Sequence, residues 1–257
     1  MQSDPRLTVR IAQSDDEVRG AQRLRYRVFV EEMGARTSPE DAKLRLERDR
    51  YDPHFDHLIL IDRSIDHPLD RVVGAYRLMR GAVAKLGAGF YSAGEYDLSP
   101  LVESGRETLE LGRSCVAEEY RNGIAMHLMW SGLGNYVLEH SIDVLFGVAS
   151  FHGTDVSKLA QPLSYLHHKH LAPADLRVTA LPSSFAPMDV LTADEVDQGQ
   201  ALREMPPLIK AYLRLGGYVG EGAFIDHPFN TVDVCLIMDT ARMQSKYREM
   251  YTRGALA

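Results

Sequence analysis

The chain has 257 residues, 45% of them hydrophobic, with 29 basic and 36 acidic side chains and a formal charge of −7. That is enough apolar material for one large domain or two small ones, and the acidic balance argues against general attraction to nucleic acid or anionic membrane. No apolar run reaches the roughly 18 residues of a membrane span, and Cys115 and Cys235 each lie in an apolar stretch, which predicts reduced core thiols in a cytoplasmic protein rather than a disulfide.

In chain order, RLTVRIA alternates like a strand, and SDDEVRGAQRLRYRVFVEEMG predicts a helix with Ser14 as N-cap and Gly34 as stop. The charged TSPEDAKLRLERDRYDPHFD reads as a surface loop. HLILID and RVVGAYRLM read as strands joined by the turn formers of RSIDHPLD. TLELGRSCV is a further strand, EEYRNGIAMHLMWSGLGNYVLEH a helix, and IDVLFGVAS a strand entered from a loop. From Ala172 to Gln200, with Pro173, Pro182 and Pro187 and no sustained period, the chain reads as irregular. PPLIKAYLRLGG resembles a short helix ended by a Gly pair, VGEGAFID and TVDVCLIMD resemble strands, and TARMQSKYREMYTR a helix. The sum is an α/β fold, a mixed twisted sheet flanked by helices, in a single domain over 1–257 with a core at about 6–170 and an irregular C-terminal addition at about 171–257.

Several residues stand out chemically. Glu110 and Arg113 lie three apart in one strand and would face opposite sides of a regular sheet. Gly112 between them predicts a bulge, which would turn both toward one cleft and splay the neighbouring strand. Pairing with solvent or each other on an edge is the alternative. Arg121, Asn122, Gly123 and Ala125 stand where a helix begins, a place where free backbone N–H groups bind phosphate.

In the first helix Val18, Ala21, Leu24, Val28 and Phe29 form the apolar face and Arg25 projects from its middle, so Arg25 needs carboxylates or an anionic ligand. Arg19, Arg23 and Arg27 form a row on another side, either a docking stripe or a solvated one. In ERDRYD, Glu47, Asp49 and Asp52 crowd together and would repel one another unless a cation offsets them; an amine-bearing substrate or an arginine would serve, and a plain hydrophilic loop is the other reading. The His-x4-Asp spacing of His57 and Asp62 is set aside, because a strand points the two apart. HHKH has no accompanying ligand framework, and no metal site is expected. Cys115 reads as a packed thiol rather than a nucleophile.

LRYRVF (24 to 29), ERDRYD, VVGAYRL and ELGRSCV followed by YRNG together resemble the acyl-carrier-dependent branch of the GNAT acyltransferases, in order as well as type. Acyl-homoserine-lactone synthases share this outline. FGVASFHGTD (146 to 155) and residues 206 to 239 resemble the ornithine N-acyltransferases that begin ornithine-lipid synthesis. Tyr120 stands where the common GNAT phosphate loop opens with Gln or Arg, and the tryptophan that lactone synthases tend to carry just after the first helix is absent, which lowers the lactone reading.

The resemblance implies transfer of a 3-hydroxy fatty acyl group from acyl carrier protein to the α-amine of ornithine, giving lyso-ornithine lipid. Glu110 is then the candidate base and Arg113 its neighbour in catalysis. Arg25, Glu47, Asp49 and Asp52 would meet the amino acid, although Arg25 could instead organise those acids. Cys115, Val116, Arg121, Asn122, Gly123 and Ala125 would line the phosphopantetheine path. The implied co-substrate is the acyl-phosphopantetheine of acyl carrier protein, with no permanently bound cofactor. A greasy product implies peripheral contact with the inner membrane, for which Arg242, Lys246, Arg248 and Arg253 of the C-terminal helix are candidates. Acyl transfer to another amine (glutamine, or a lactone-synthase-like reaction) and a non-catalytic acyl-carrier-binding module remain the alternatives.

Overall fold

The computed structural model describes residues 6–121 and 123–242. Eleven strands occur among them: β1 (Leu7–Ile11), β2 (Asp56–Asp62), β3 (Val72–Arg80), β4 (Tyr96–Asp97), β5 (Thr108–Val116), β6 (Val144–His152), β7 (Thr179–Ala180), β8 (Phe185–Ala186), β9 (Tyr218–Val219), β10 (Ala223–Asp226) and β11 (Thr231–Asp239). The α/β class and the mixed sheet flanked by helices are as the sequence predicts. The chain forms two compact units: one of residues 6–79 with Leu111–Ser141, the other of Arg80–Glu110 with 142–242.

In the first unit β1 and β3 both pair antiparallel with β2, and β5 follows β3. HLILID is buried at every position, which explains its unbroken apolar run. The helix Asp15–Arg25 starts on Ser14, whose hydroxyl accepts from the Glu17 amide, and carries acids in its first turn. It continues through a π-helical segment, Tyr26–Glu32. The helix Gly123–Glu139 lies close on the sheet because two glycines permit it. A Cβ at Gly132 would stand 2.8 Å from Val9, and one at Gly74 would stand 2.9 Å from Leu60 and 3.4 Å from Met129.

One expectation is corrected here. The charged segment after the first helix is not merely a surface loop: Ser38 caps a helix over Pro39–Leu44, and Glu47 and Asp52 are buried. Ion pairing, which composition alone does not reveal, lets such polar residues enter the interior.

In the second unit β5 pairs parallel with β6 through Thr108, Leu109 and Glu110. β11 pairs antiparallel with β6 over all nine residues, from Thr231↔His152 to Asp239↔Val144, and then with β10, which pairs with β8. β9 pairs with β11 as well, and β4 with β7. The segment from Ala172 to Gln200 holds two two-residue strands among turns, too short to leave a period in the sequence, and a helix, Gln198–Glu204, begins at its end. The predicted C-terminal helix lies outside the described residues apart from Thr240–Arg242, which form a turn, and there Arg242 meets Asp175 and Asp239 at 3.3 Å. Among the described residues no helix is long and apolar enough to cross a membrane.

Candidate active site

Arg25, on the apolar face of the first helix, is 0% exposed. Its Nε donates to Glu47 at 2.5 Å and its Nη1 to Asp52 at 2.7 Å. The demand for carboxylates read from the helix period is thus met by the acids of ERDRYD. Two further guanidiniums join them. Arg113 donates from Nε to Glu47 at 3.1 Å and lies 3.6 Å from Asp49, while Arg77 Nη1 donates to Asp49 at 2.8 Å and to Asp52 at 2.7 Å. Arg77 also stacks on Phe55, 4.4 Å from the ring centroid. Gln22 donates to the second Asp52 oxygen at 3.0 Å.

Three acids and three arginines therefore form one lattice, of which Arg25, Arg77, Glu47 and Asp52 are buried and Arg113 and Asp49 partly so. Burial alone would raise the Glu47 carboxyl, but Arg25 and Arg113 overcome it and hold the group at about 2. Burial likewise works against ionised Asp52, and the charge and hydrogen bond of Arg25, then Arg77, hold it well below the usual carboxylate range. Both native values lie below the unfolded ones, so the folded state binds fewer protons. The stabilisation is complete above the ordinary glutamate value of 4.5 and is lost as pH falls toward about 2. Urea denaturation at a series of pH values should show midpoints falling below pH 4.5; a flat response between pH 5 and 3 would contradict the lattice.

Glu110, 1% exposed, accepts the backbone N–H groups of Tyr91 at 2.9 Å and Ser92 at 2.6 Å, one on each carboxylate oxygen. Arg113 reaches Glu47 and Asp49. The backbone irregularity falls on Arg113, with φ +53°, rather than on Gly112. A left-handed arginine is unusual for an L-residue, and its ion pairs hold the guanidinium in place. The acids expected to take substrate amines meet guanidiniums.

Cys115 is buried; burial, with Glu47 and Glu32 nearby, pushes its thiol up to about 12 against the opposing pull of Arg25 and Arg121, so it is no thiolate nucleophile at neutral pH. Val116 is buried at the end of β5, and Arg121 donates from Nε to its carbonyl at 3.0 Å while meeting Glu32 through Nη2. Gly123 begins the long helix and Ala125 is buried on it. Asn122 lies outside the described residues. His57 meets the Asp52 carbonyl at 3.1 Å while Asp62 accepts from Ser64 and Tyr120, so the two serve different partners. Arg77 went unread in the sequence because β3 is buried on both faces at all but its last position. No alternation marks an inward charge there.

The sequence profile of the Acetyltransferase (GNAT) domain matches residues 24–131. An L-ornithine N(alpha)-acyltransferase of Rhodobacter capsulatus is 56% identical over 246 residues, covering 95% of this chain and 94% of the relative. One of Brucella abortus is 45% identical over 95% of this chain and 88% of its own length. Among solved structures, a CoA-dependent acyl-homoserine lactone synthase, BjaI, with SAM and isopentyl-CoA, aligns with a TM-score of 0.50 and 15% identity, covering 94% of this chain and 83% of that one, a likeness of fold alone.

Proposed function

Since this chain belongs to the L-ornithine N(alpha)-acyltransferase family and is an acyltransferase, we propose that it moves a 3-hydroxy fatty acyl group from acyl carrier protein to the α-amine of L-ornithine, giving lyso-ornithine lipid. The observation that carries the acceptor is the 56% identity spread over 95% of the chain.

An α-amine with a reference pKa near ~8 must lose its proton before it attacks a thioester. Glu110 is the base in this reading. A positioned carboxylate can take the amine proton directly or through water. Attack forms the amide C–N bond, the C–S bond breaks, and the phosphopantetheine thiol leaves. Strand amides around Ser114 to Val116 stabilise the oxyanion. The acyl-phosphopantetheine arm is a co-substrate rather than a resident cofactor, and it runs along Cys115, Val116, Gly123 and Ala125 with its phosphate at Arg121. Arg25, Arg113, Glu47, Asp49 and Asp52 act as one positioning lattice. The enzyme works in the cytoplasm and delivers its product by peripheral contact with the inner membrane.

The test is a thiol-release assay with 3-hydroxyacyl carrier protein and 3-hydroxyacyl-CoA as donors across a panel of amino acids. Release driven best by ornithine and carrier protein supports the reading. A preference for another amine removes the acceptor, equal use of CoA removes the donor, and release independent of any amine removes the reaction. Arg121→Ala should weaken carrier affinity about tenfold through loss of one charge-assisted contact. Unchanged affinity by calorimetry counts against the phosphate position.

A further inference from the structure

A second group of carboxylates lies within the second unit. One ligand oxygen from each of Glu95, Asp226 and Asp233 lies within 4.8 Å of the others, and all three residues are buried. The β10–β11 register sets Asp226 directly across from Thr231, and Thr231 and Asp233 are two apart in one strand, so the three share a face of the sheet. Thr231 is 4% exposed, and among the described residues its Oγ1 has no hydrogen-bond partner. A buried hydroxyl is normally satisfied, so this one points to a ligand among the carboxylates. The next strand over continues the face: Ser150 pairs with Asp233 and His152 with Thr231, and both are exposed. The Tyr96 hydroxyl, 3.0 Å from the Gly222 carbonyl and 2.9 Å from that of Asp233, fixes the neighbour of Glu95 against β11.

Carboxylates this close repel one another, and a cation set among them relieves that repulsion. A primary ammonium has three N–H donors, and three oxygens arranged around its nitrogen at normal hydrogen-bond length stand about 4.6 Å apart, within the spacing present here. Cys235 ties the group to Glu110. Burial pushes its thiol far up and the negative fields of Glu110 and then Glu95 add to the rise, so both carboxylates act on one buried sulfur. We infer that Glu95, Asp226 and Asp233, with Thr231, bind the side-chain ammonium of a diamino-acid acceptor and so determine which amino acid is acylated. This rests on the acceptor reading above, in which Glu110 receives the proton of the other amine. Truncating the side chain of the amino acid at its terminal nitrogen therefore removes the contact without touching the reacting centre.

The test compares L-ornithine with L-norvaline, which has the same carbon skeleton without the terminal amine, on the full chain. Calorimetric binding and thiol release are read separately. Wild type should favour ornithine, and Asp226→Asn and Asp233→Asn should each weaken ornithine binding at least about tenfold while changing norvaline binding less than about twofold. Thr231→Val, a milder change, should shift the ratio the same way in a protein with unaltered circular dichroism. An unchanged ratio, no preference in wild type, equal losses for both ligands, or a melting-temperature rise with Mg2+ or Ca2+ that the variants lack would each overturn the inference. Ornithine binding that depends on the carboxylates without thiol release would leave it standing and remove the functional reading instead. Acylation of ornithine by unperturbed variants would do the reverse.

Discussion

Glu110→Gln lowers turnover at neutral pH by about a hundredfold or more, the usual contribution of a positioned general base, with little change in carrier binding. The glutamine keeps one acceptor oxygen for the Tyr91 or Ser92 amide and sets its NH2 against the other, so some local support is lost along with the base. A purely structural role and a catalytic one separate in the pH profile. Without the base the rate follows the fraction of free α-amine and rises about tenfold per pH unit below that amine's pKa, whereas a misfolded site gains nothing from alkali. Wild-type turnover in the variant, or a loss that alkali does not recover, removes Glu110 from the reaction.

Arg25→Leu destabilises the fold by about 3–5 kcal/mol, because it leaves Glu47 and Asp52 buried with their main counter-charge gone. Arg77 and Arg113 remain and cover part of the deficit, which places the cost within that range rather than above it. Arg25→Lys is not conservative: one ammonium cannot reach two carboxylates with the spread of a guanidinium. Adding Glu47→Leu and Asp52→Leu to Arg25→Leu should recover a good part of the loss, since no buried charge is then stranded. Urea denaturation measures all three. A loss below about 1 kcal/mol for Arg25→Leu would mean that the lattice is not held as described.

Legibility followed periodicity. Arg25 stood out because its helix has one apolar stripe and a charge in the middle of it, and the same reasoning called for carboxylates that the next charged segment supplied. Arg77 gave no such contrast, since a strand buried on both faces has no polar side against which a misplaced charge can be seen. Glu110 was visible as a residue but not in its direction, because its partners are amides of a short 3-10 turn, Tyr91–Gly94, whose sequence carries no strong signal. Glu95, Asp226 and Asp233 are farther still from sequence logic. They meet only once β10 and β11 have paired and the Tyr96 hydroxyl has found its two carbonyls, and chain separation of that size leaves no local pattern.

Neither compact unit is a contiguous stretch of polypeptide: the chain quits the second after Glu110 and comes back at Ile142. No single cut therefore yields a self-sufficient fragment. A polypeptide truncated near residue 170 would strip β6 of the strand bonded along its whole length, exposing nine residues of unsatisfied edge. Deletion mapping, split-protein complementation and domain grafting should all respect this interleaving, and surface loops are where circular permutation has a chance of success.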